Sequence, residues 1–137
     1  MKDMYTFHSS ESCANSTYEE TCKAYENIFD KLDIEFIKCA ASVGTMGGSK
    51  SNEYHIESSI GEDKIFKCEK CGSSISSDLI QISKETGKVT PGNICNYMQC
   101  DGEDTSEFKE MKCIEIGHTF LLGKNNYISN YIFSQKS

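Results

Sequence analysis

Four cysteines in the second half of the chain have the spacing of metal ligands. Cys68 and Cys71 form a C-x-x-C pair followed by Gly72, and a tight turn of this kind directs two thiolates towards one zinc ion. Cys95 and Cys100 could supply the second pair, although the 23 residues between the pairs slightly exceed the usual length of a zinc-ribbon loop. The spacing leaves two interpretations open, a structural zinc site and a set of thiols that bind no metal.

One histidine and two glutamates are candidate ligand-binding groups. His118 follows Gly117 in an apolar run, and a glycine within a strand often marks the close approach of a ligand or of another backbone. Glu53 and Glu115 are strand carboxylates that could pair with the ammonium group of a ligand. Hydrogen-bonded core histidines and exposed strand glutamates are nevertheless commoner than functional ones. These local patterns alone leave the function open.

A glycine-rich loop covers residues 43–51 (VGTMGGSKS) and departs from the phosphate-binding G-x-x-x-x-G-K-[ST] motif. Ser49 separates the glycine from the lysine, and the residues that follow favour a strand, so no helix N-terminus would face a phosphate. The loop is either a flexible turn or a segment that closes over a small ligand.

These groups must be positioned by one predicted helix and several predicted strands. Apolar residues recur every three or four positions and predict a helix that starts at Ser16, with Glu19 completing a capping box, or earlier at Ser9 or Ser10. The apolar stripe consists of Tyr18, Cys22, Tyr25, Phe29 and Leu32. Strands are predicted at residues 4–7, 34–39, 52–58, 62–67 and 114–123. Since no helices separate the strands regularly, the pattern predicts an α+β fold with a mainly antiparallel sheet flanked by a helix.

Composition argues against several classes of protein. The 137 residues are enough for one domain or part of one, and 37% apolar residues can form a core. A net charge of -7 argues against a main nucleic-acid-binding surface. No run of about 18 apolar residues occurs and the N-terminus lacks an apolar signal segment, which argues against a membrane span and against export.

Four strings, in order and at matching spacing, resemble the bacterial and mitochondrial type of prolyl-tRNA synthetase. They are residues 1–8 (MKDMYTFH), the helix pairs Thr17-Tyr18, Ala24-Tyr25 and Ile28-Phe29, residues 44–55 (GTMGGSKSNEYH) with 61–63 (GED), and residues 114–123 (IEIGHTFLLG). The resemblance implies that residues 1–137 form part of a class II aminoacyl-tRNA synthetase catalytic core. Residues 65–112 would be a short cysteine-containing insertion in place of the editing domain that some members carry.

The resemblance also implies an activity and a set of site residues. The intact enzyme would activate proline with ATP and Mg²⁺, transfer it to tRNA(Pro) and act as a homodimer, in the mitochondrial matrix or the cytoplasm. Glu53, His55, Gly117, His118 and Phe120 match substrate-binding positions, while Asp3, Tyr5 and Phe7 match a pocket or ATP-side strand. The phosphate-binding arginines lie outside the matching strings, so we expect the isolated chain to be inactive. The alternatives are a zinc-knuckle binding module and a non-catalytic synthetase paralogue.

Overall fold

The computed structural model describes residues 3–43, 46–69, 71–79 and 108–123. They form one α-helix and five strands, together with a short 3-10 helix at Ser77–Leu79. The elements are α1 (Glu11–Lys31), β1 (Ile37–Ala40), β2 (Lys50–Glu57), β3 (Asp63–Cys68), β4 (Ser74–Ser76) and β5 (Phe108–Leu121). Within these ranges, no helix has both the length and the apolar character that crossing a bilayer requires.

Helix α1 begins at the earlier of the predicted positions. The Ser10 side chain accepts a hydrogen bond from the backbone N–H of Cys13 at 3.2 Å and caps the helix, as serine commonly does. The predicted capping box at Ser16 is wrong, because Ser16 lies inside the helix and its hydroxyl contacts Glu20 instead. The apolar stripe is buried at Tyr18, Cys22 and Phe29, whereas Leu32, beyond the last turn, is 63% exposed.

The α+β prediction is confirmed, and the strands close into a barrel in the order β1-β2-β5-β3-β4. Four of the pairings among the described strands are antiparallel, and a parallel contact between Ala40 of β1 and Ile75 of β4 completes the ring. The strand predicted at residues 4–7 is wrong: residues 3–8 form neither helix nor strand. Tyr5 and Phe7 in this segment are more than 60% exposed, so no burial holds it against the sheet.

The long strand β5 joins the two halves of the barrel. Its first half, from Phe108 to Cys113, pairs with β3, and its second half, from Cys113 to Leu121, pairs with β2. Both ends of the predicted insertion at residues 65–112 therefore lie in paired strands. Side chains from non-adjacent strands meet across the barrel interior in a buried cluster of Cys39, Ile65, Met111 and Cys113.

Helix α1 covers the opposite face of β2 and β5. Tyr54 is fully buried, its ring stacks on Tyr25 at 5.4 Å, and its hydroxyl donates to the Cys22 carbonyl at 3.2 Å. Phe29 lies 5.6 Å from the same ring. The two strands thus present one face to the helix and the other to the barrel interior, as the two-residue period of a strand requires.

Candidate functional site

A β-bulge determines which side chains of β5 share a face. The register between β2 and β5 shifts between Tyr54 and His55, so that Tyr54 pairs with Gly117 while His55 pairs with Glu115. Residues three apart in a regular strand point to opposite faces, and one extra residue in the bulge cancels that alternation. Glu115 and His118 consequently lie on the same face, with the Glu115 carboxylate 3.2 Å from Nδ1 of His118.

The imidazole of His118 is fixed on several sides. Its Nε2 lies 2.5 Å from the Ser51 hydroxyl, and its ring stacks on Phe120 with centroids 3.9 Å apart. His118 and Phe120, two residues apart in β5, therefore share a face and are in direct ring contact. Since the Ser51 hydroxyl, the Glu115 carboxylate and the Phe120 ring all contact the imidazole, the orientation of the ring is set before any ligand binds.

Glu53 lies beneath His118 in the barrel interior. The two residues are register partners on β2 and β5, and the carboxylate lies 3.9 Å from Nε2 of His118. Glu53 is only 9% exposed, and its other oxygen contacts Nε2 of His55 at 2.9 Å. Opposite it on β1, the Cys39 thiol approaches the same oxygen at 4.0 Å. Burial, followed by the nearby Glu53 charge, raises the pKa of the Cys39 thiol.

A cavity of about 1840 Å³ lies between the N-terminal segment, α1 and the second half of β5. Six of the eight residues predicted for the site line it, namely Asp3, Tyr5, Phe7, Gly117, His118 and Phe120. Glu53 and His55 are not among its lining residues and lie behind His118. His118 thus connects the cavity to the buried polar cluster.

Gly117 packs against Tyr25 and Phe29 of helix α1, a contact that the sequence patterns did not identify. A Cβ atom at this position would lie 2.8 Å from Cε1 of Tyr25 and 3.4 Å from Cζ of Phe29. The glycine faces α1, and its neighbour His118 points to the other face of the strand. The missing side chain therefore provides space for the helix.

Two further residues of this cluster were not identified as site residues from the sequence. Cys39 was included only in the strand predicted at residues 34–39, and Ser51 was treated only as part of the glycine-rich loop. Both lie one strand away from a predicted site residue, Cys39 opposite Glu53 and Ser51 beside His118. The signal that could have found them is strand register, since cross-strand partners share a face.

The proposed zinc knuckle can be described at two of its four cysteines. The turn between β3 and β4 is closed by hydrogen bonds between Cys68 and residues 72–73, and Gly72 adopts a φ of 72°. Cys68 is buried whereas Cys71 is exposed. Cys95 and Cys100 lie outside the described residues, so the four-cysteine zinc site stays a prediction.

Comparison with known proteins finds several proline–tRNA ligases. The chain is 40% identical over 123 residues to the probable proline–tRNA ligase, mitochondrial, of Rattus norvegicus and 38% identical over 135 residues to that of Mus musculus. These matches cover 90% and 98% of this chain. A further match, 46% identical over 71 residues, is the proline–tRNA ligase, cytoplasmic, of Candida albicans, covering 52% of this chain and 12% of that protein. No family model matches the chain.

The matched segment is a minor part of the relatives. The chain spans 23% of the length of the rat protein and 26% of the mouse protein. Almost the whole chain is matched, and the relatives carry the name that the four sequence strings had indicated. The resemblance to prolyl-tRNA synthetases is therefore confirmed, for a segment that corresponds to about a quarter of those enzymes.

Proposed function

We propose that this chain forms the amino-acid side of the active site of a proline–tRNA ligase, as part of a class II synthetase catalytic core. The complete enzyme would activate proline with ATP and Mg²⁺ to prolyl-adenylate, transfer it to tRNA(Pro) and act as a homodimer. The observation that carries the proposal is the convergence of His118 and Glu53 from separate strands beside a cavity. The names of the relatives supply the substrate class.

The charge of the cavity wall supports binding of an amino acid rather than of a nucleotide alone. Glu115 lines the cavity and lies beside His118, and the second carboxylate, Glu53, lies behind the same imidazole. Carboxylates in these positions attract the ammonium group of proline. The apolar ring of Phe120, stacked on His118, offers a surface for the pyrrolidine ring.

The same wall lacks the groups that a triphosphate needs. Among the lining residues that the structure describes, none is lysine or arginine. Adenylation depends on positioning the proline carboxylate in line with the α-phosphate and on cations that stabilise the developing charge. Those cations would come from parts of a longer protein, which supports the expectation that this chain alone is inactive.

Each predicted residue receives a role under this proposal. His118 and Phe120 form the wall of the proline pocket, with Glu53 and His55 supporting His118 from behind. Gly117 allows α1 to pack against that wall. Asp3, Tyr5 and Phe7, which line the opposite side of the cavity, are assigned to the ATP side. The compartment would be the mitochondrial matrix or the cytoplasm, since the names of the relatives include both.

The test compares substitutions of His118 in the longest protein that carries this chain. His118→Ala and His118→Gln should each lower proline-dependent exchange of pyrophosphate into ATP by about 10- to 100-fold and leave tRNA affinity within about twofold, because the pocket wall acts on proline binding and orientation. Lys64→Ala is the matched control, since Lys64 forms a surface ion pair with Glu110 on the β3 side of the barrel. Unchanged exchange in both His118 variants, or an equal loss in exchange and tRNA affinity, would contradict the assignment.

Binding to the isolated chain separates this proposal from its alternative. Calorimetry with proline and with a non-hydrolysable prolyl-adenylate analogue should give no measurable affinity if binding requires the phosphate-binding cations of a longer protein. Measurable affinity for the analogue without exchange activity in the longest protein would instead indicate a non-catalytic synthetase paralogue.

A further inference from the structure

We propose that Cys39, Glu53 and His55 form a binding site for a divalent transition-metal ion, with zinc as the preferred ion. The three residues lie on the adjacent strands β1 and β2 and face the barrel interior. Thiolate, imidazole and carboxylate are the three side-chain groups that bind zinc in proteins. The site is distinct from the C-x-x-C turn and does not depend on proline binding.

The distances suit a tetrahedral ion with small adjustments. One ligand atom from each residue lies within 4.8 Å of the others. Zinc–sulfur and zinc–oxygen bonds of about 2.3 and 2.1 Å at the tetrahedral angle place sulfur and oxygen about 3.6 Å apart, and nitrogen and oxygen about 3.4 Å apart. The Cys39 sulfur lies 4.0 Å from the Glu53 oxygen, and the His55 nitrogen lies 2.9 Å from it. Each of these two distances differs from the ideal separation by about half an ångström.

The buried Glu53 carboxylate in this cluster lacks a compensating positive charge. Cys39 and His55 are each 1% exposed and Glu53 is 9% exposed. A carboxylate removed from water is strongly destabilised unless a cation or several hydrogen bonds compensate for it. Among the described residues, the only basic side chains within 4.0 Å of the Glu53 carboxylate are the imidazoles of His55 and His118, which carry a charge only when protonated. A divalent ion would supply the missing charge directly.

His55 carries a second sign that the cluster is incomplete. Its Nδ1 is buried and has no hydrogen-bond partner among the described residues. Buried polar atoms are almost always satisfied, so such an atom indicates a ligand or a water at the site. A metal ion can bind either imidazole nitrogen, and a carboxylate on the other nitrogen is a common supporting contact. In the proposed site Glu53 and Nε2 of His55 are ligands, and the unpartnered Nδ1 is the nitrogen that would take such a supporting contact, from a water.

Access and the fourth coordination position lie on the side of His118. The His118 side chain is 21% exposed and its Nε2 lies 3.9 Å from Glu53. It therefore separates the buried cluster from the cavity, and because His118 groups with Glu53 and Glu115 rather than with Cys39 and His55, the fourth coordination position is left to water.

The experiment uses Co²⁺ as a spectroscopic substitute for zinc in the purified, chelator-treated chain. A thiolate ligand produces a sulfur-to-cobalt charge-transfer band, which we expect in the unmodified chain at one ion per site. Cys39→Ala should abolish this band. Cys22→Ala is the matched control, because Cys22 is also 1% exposed but contacts Thr119 on the helix side. Cys71→Ala reports on the alternative site at the C-x-x-C turn.

A second substitution protects the test against a folding failure. Glu53→Gln has nearly the same volume and should weaken Co²⁺ binding by at least about 10-fold while keeping the charge-transfer band, because one charged ligand is lost. Circular dichroism identifies any variant that does not fold, and where Cys39→Ala does not fold the Glu53→Gln affinity decides. Absence of a band in the unmodified chain, a band retained in folded Cys39→Ala, a band lost in Cys71→Ala, or unchanged affinity in Glu53→Gln overturns the proposal.

Discussion

Replacing Gly117 with alanine tests whether this glycine serves the helix or a ligand. The added Cβ would lie 2.8 and 3.0 Å from two carbons of the Tyr25 ring, whereas carbon atoms pack best at about 3.5–4.0 Å. The ring would have to move by roughly 0.5–1 Å to restore that spacing. It cannot move freely, because it stacks on Tyr54 and meets the edge of Phe29.

The expected loss of stability follows from two opposing terms. Overpacking a filled core costs about 1–3 kcal/mol. Replacing glycine by alanine within a strand raises the free energy of unfolding by about 0.5–1 kcal/mol, because the unfolded chain has less conformational entropy. Gly117→Ala should therefore lower the free energy of unfolding by about 1–2 kcal/mol. Equilibrium urea unfolding measures this as a lower midpoint with an unchanged slope.

A double-mutant cycle with Tyr25→Ala identifies the cause. Removing the ring clears the space, so Gly117→Ala should be neutral or stabilising in the Tyr25→Ala background, with a coupling of at least about 1 kcal/mol. If the glycine instead admits a ligand, Gly117→Ala would leave stability unchanged in both backgrounds and weaken proline binding. Equal destabilisation with and without the Tyr25 ring would refute the packing argument.

Two further predictions concern the barrel. Gly61→Ala should lower the free energy of unfolding by about 3 kcal/mol or more, which is a larger loss than for Gly117→Ala. The reason is that the added Cβ would collide with the backbone carbonyl of Cys113, which cannot rotate away. A urea midpoint equal to that of the unmodified protein would contradict this. Burial raises the pKa of the Cys113 thiol to about 11 from 9.0, so its contribution to stability is complete below pH 9 and is lost as pH rises to 11. That contribution amounts to about 3 kcal/mol, and urea unfolding at pH 8 and pH 10.5 should show a smaller loss in Cys113→Ala than in the unmodified protein.

The secondary structure could be predicted well where burial imposes a period. Tyr18, Cys22 and Phe29 form the buried stripe of α1, and that stripe alone identifies the helix. The start of the helix was ambiguous, because several serines precede it and a capping pattern recurs inside it. Only the hydrogen bond from Cys13 to the Ser10 side chain distinguishes between them.

The closure of the sheet could not be predicted from these patterns. Alternation along a strand indicates which residues share a face but carries no information about which strand pairs with which. The barrel depends on the long-range pairings of β5 with both β2 and β3 and on the contact between Ala40 and Ile75. The three-residue strand β4 is too short to show a period at all.

The candidate site was predictable in part through the family resemblance. That resemblance predicted Glu53 and His118 to be substrate-binding residues, which stays a prediction, and the register places them opposite each other. The contact between Glu115 and His118 was not predictable, since a three-residue spacing in a strand implies opposite faces. Only the bulge after Tyr54 reverses that implication.

The division of β2 and β5 into two faces explains why polar residues can be buried here without unfolding the barrel. Tyr54, on the face towards α1, is fully buried against aromatic rings and makes many dispersion contacts. That face stabilises the same two strands whose other face buries Glu53 and His55 at an energetic cost. Because the cost falls on the face that also carries His118, the buried polar groups lie where they can act on a ligand or an ion. A polar cluster with no such role would be expected to be replaced by apolar residues, which would stabilise the interior at no loss of packing.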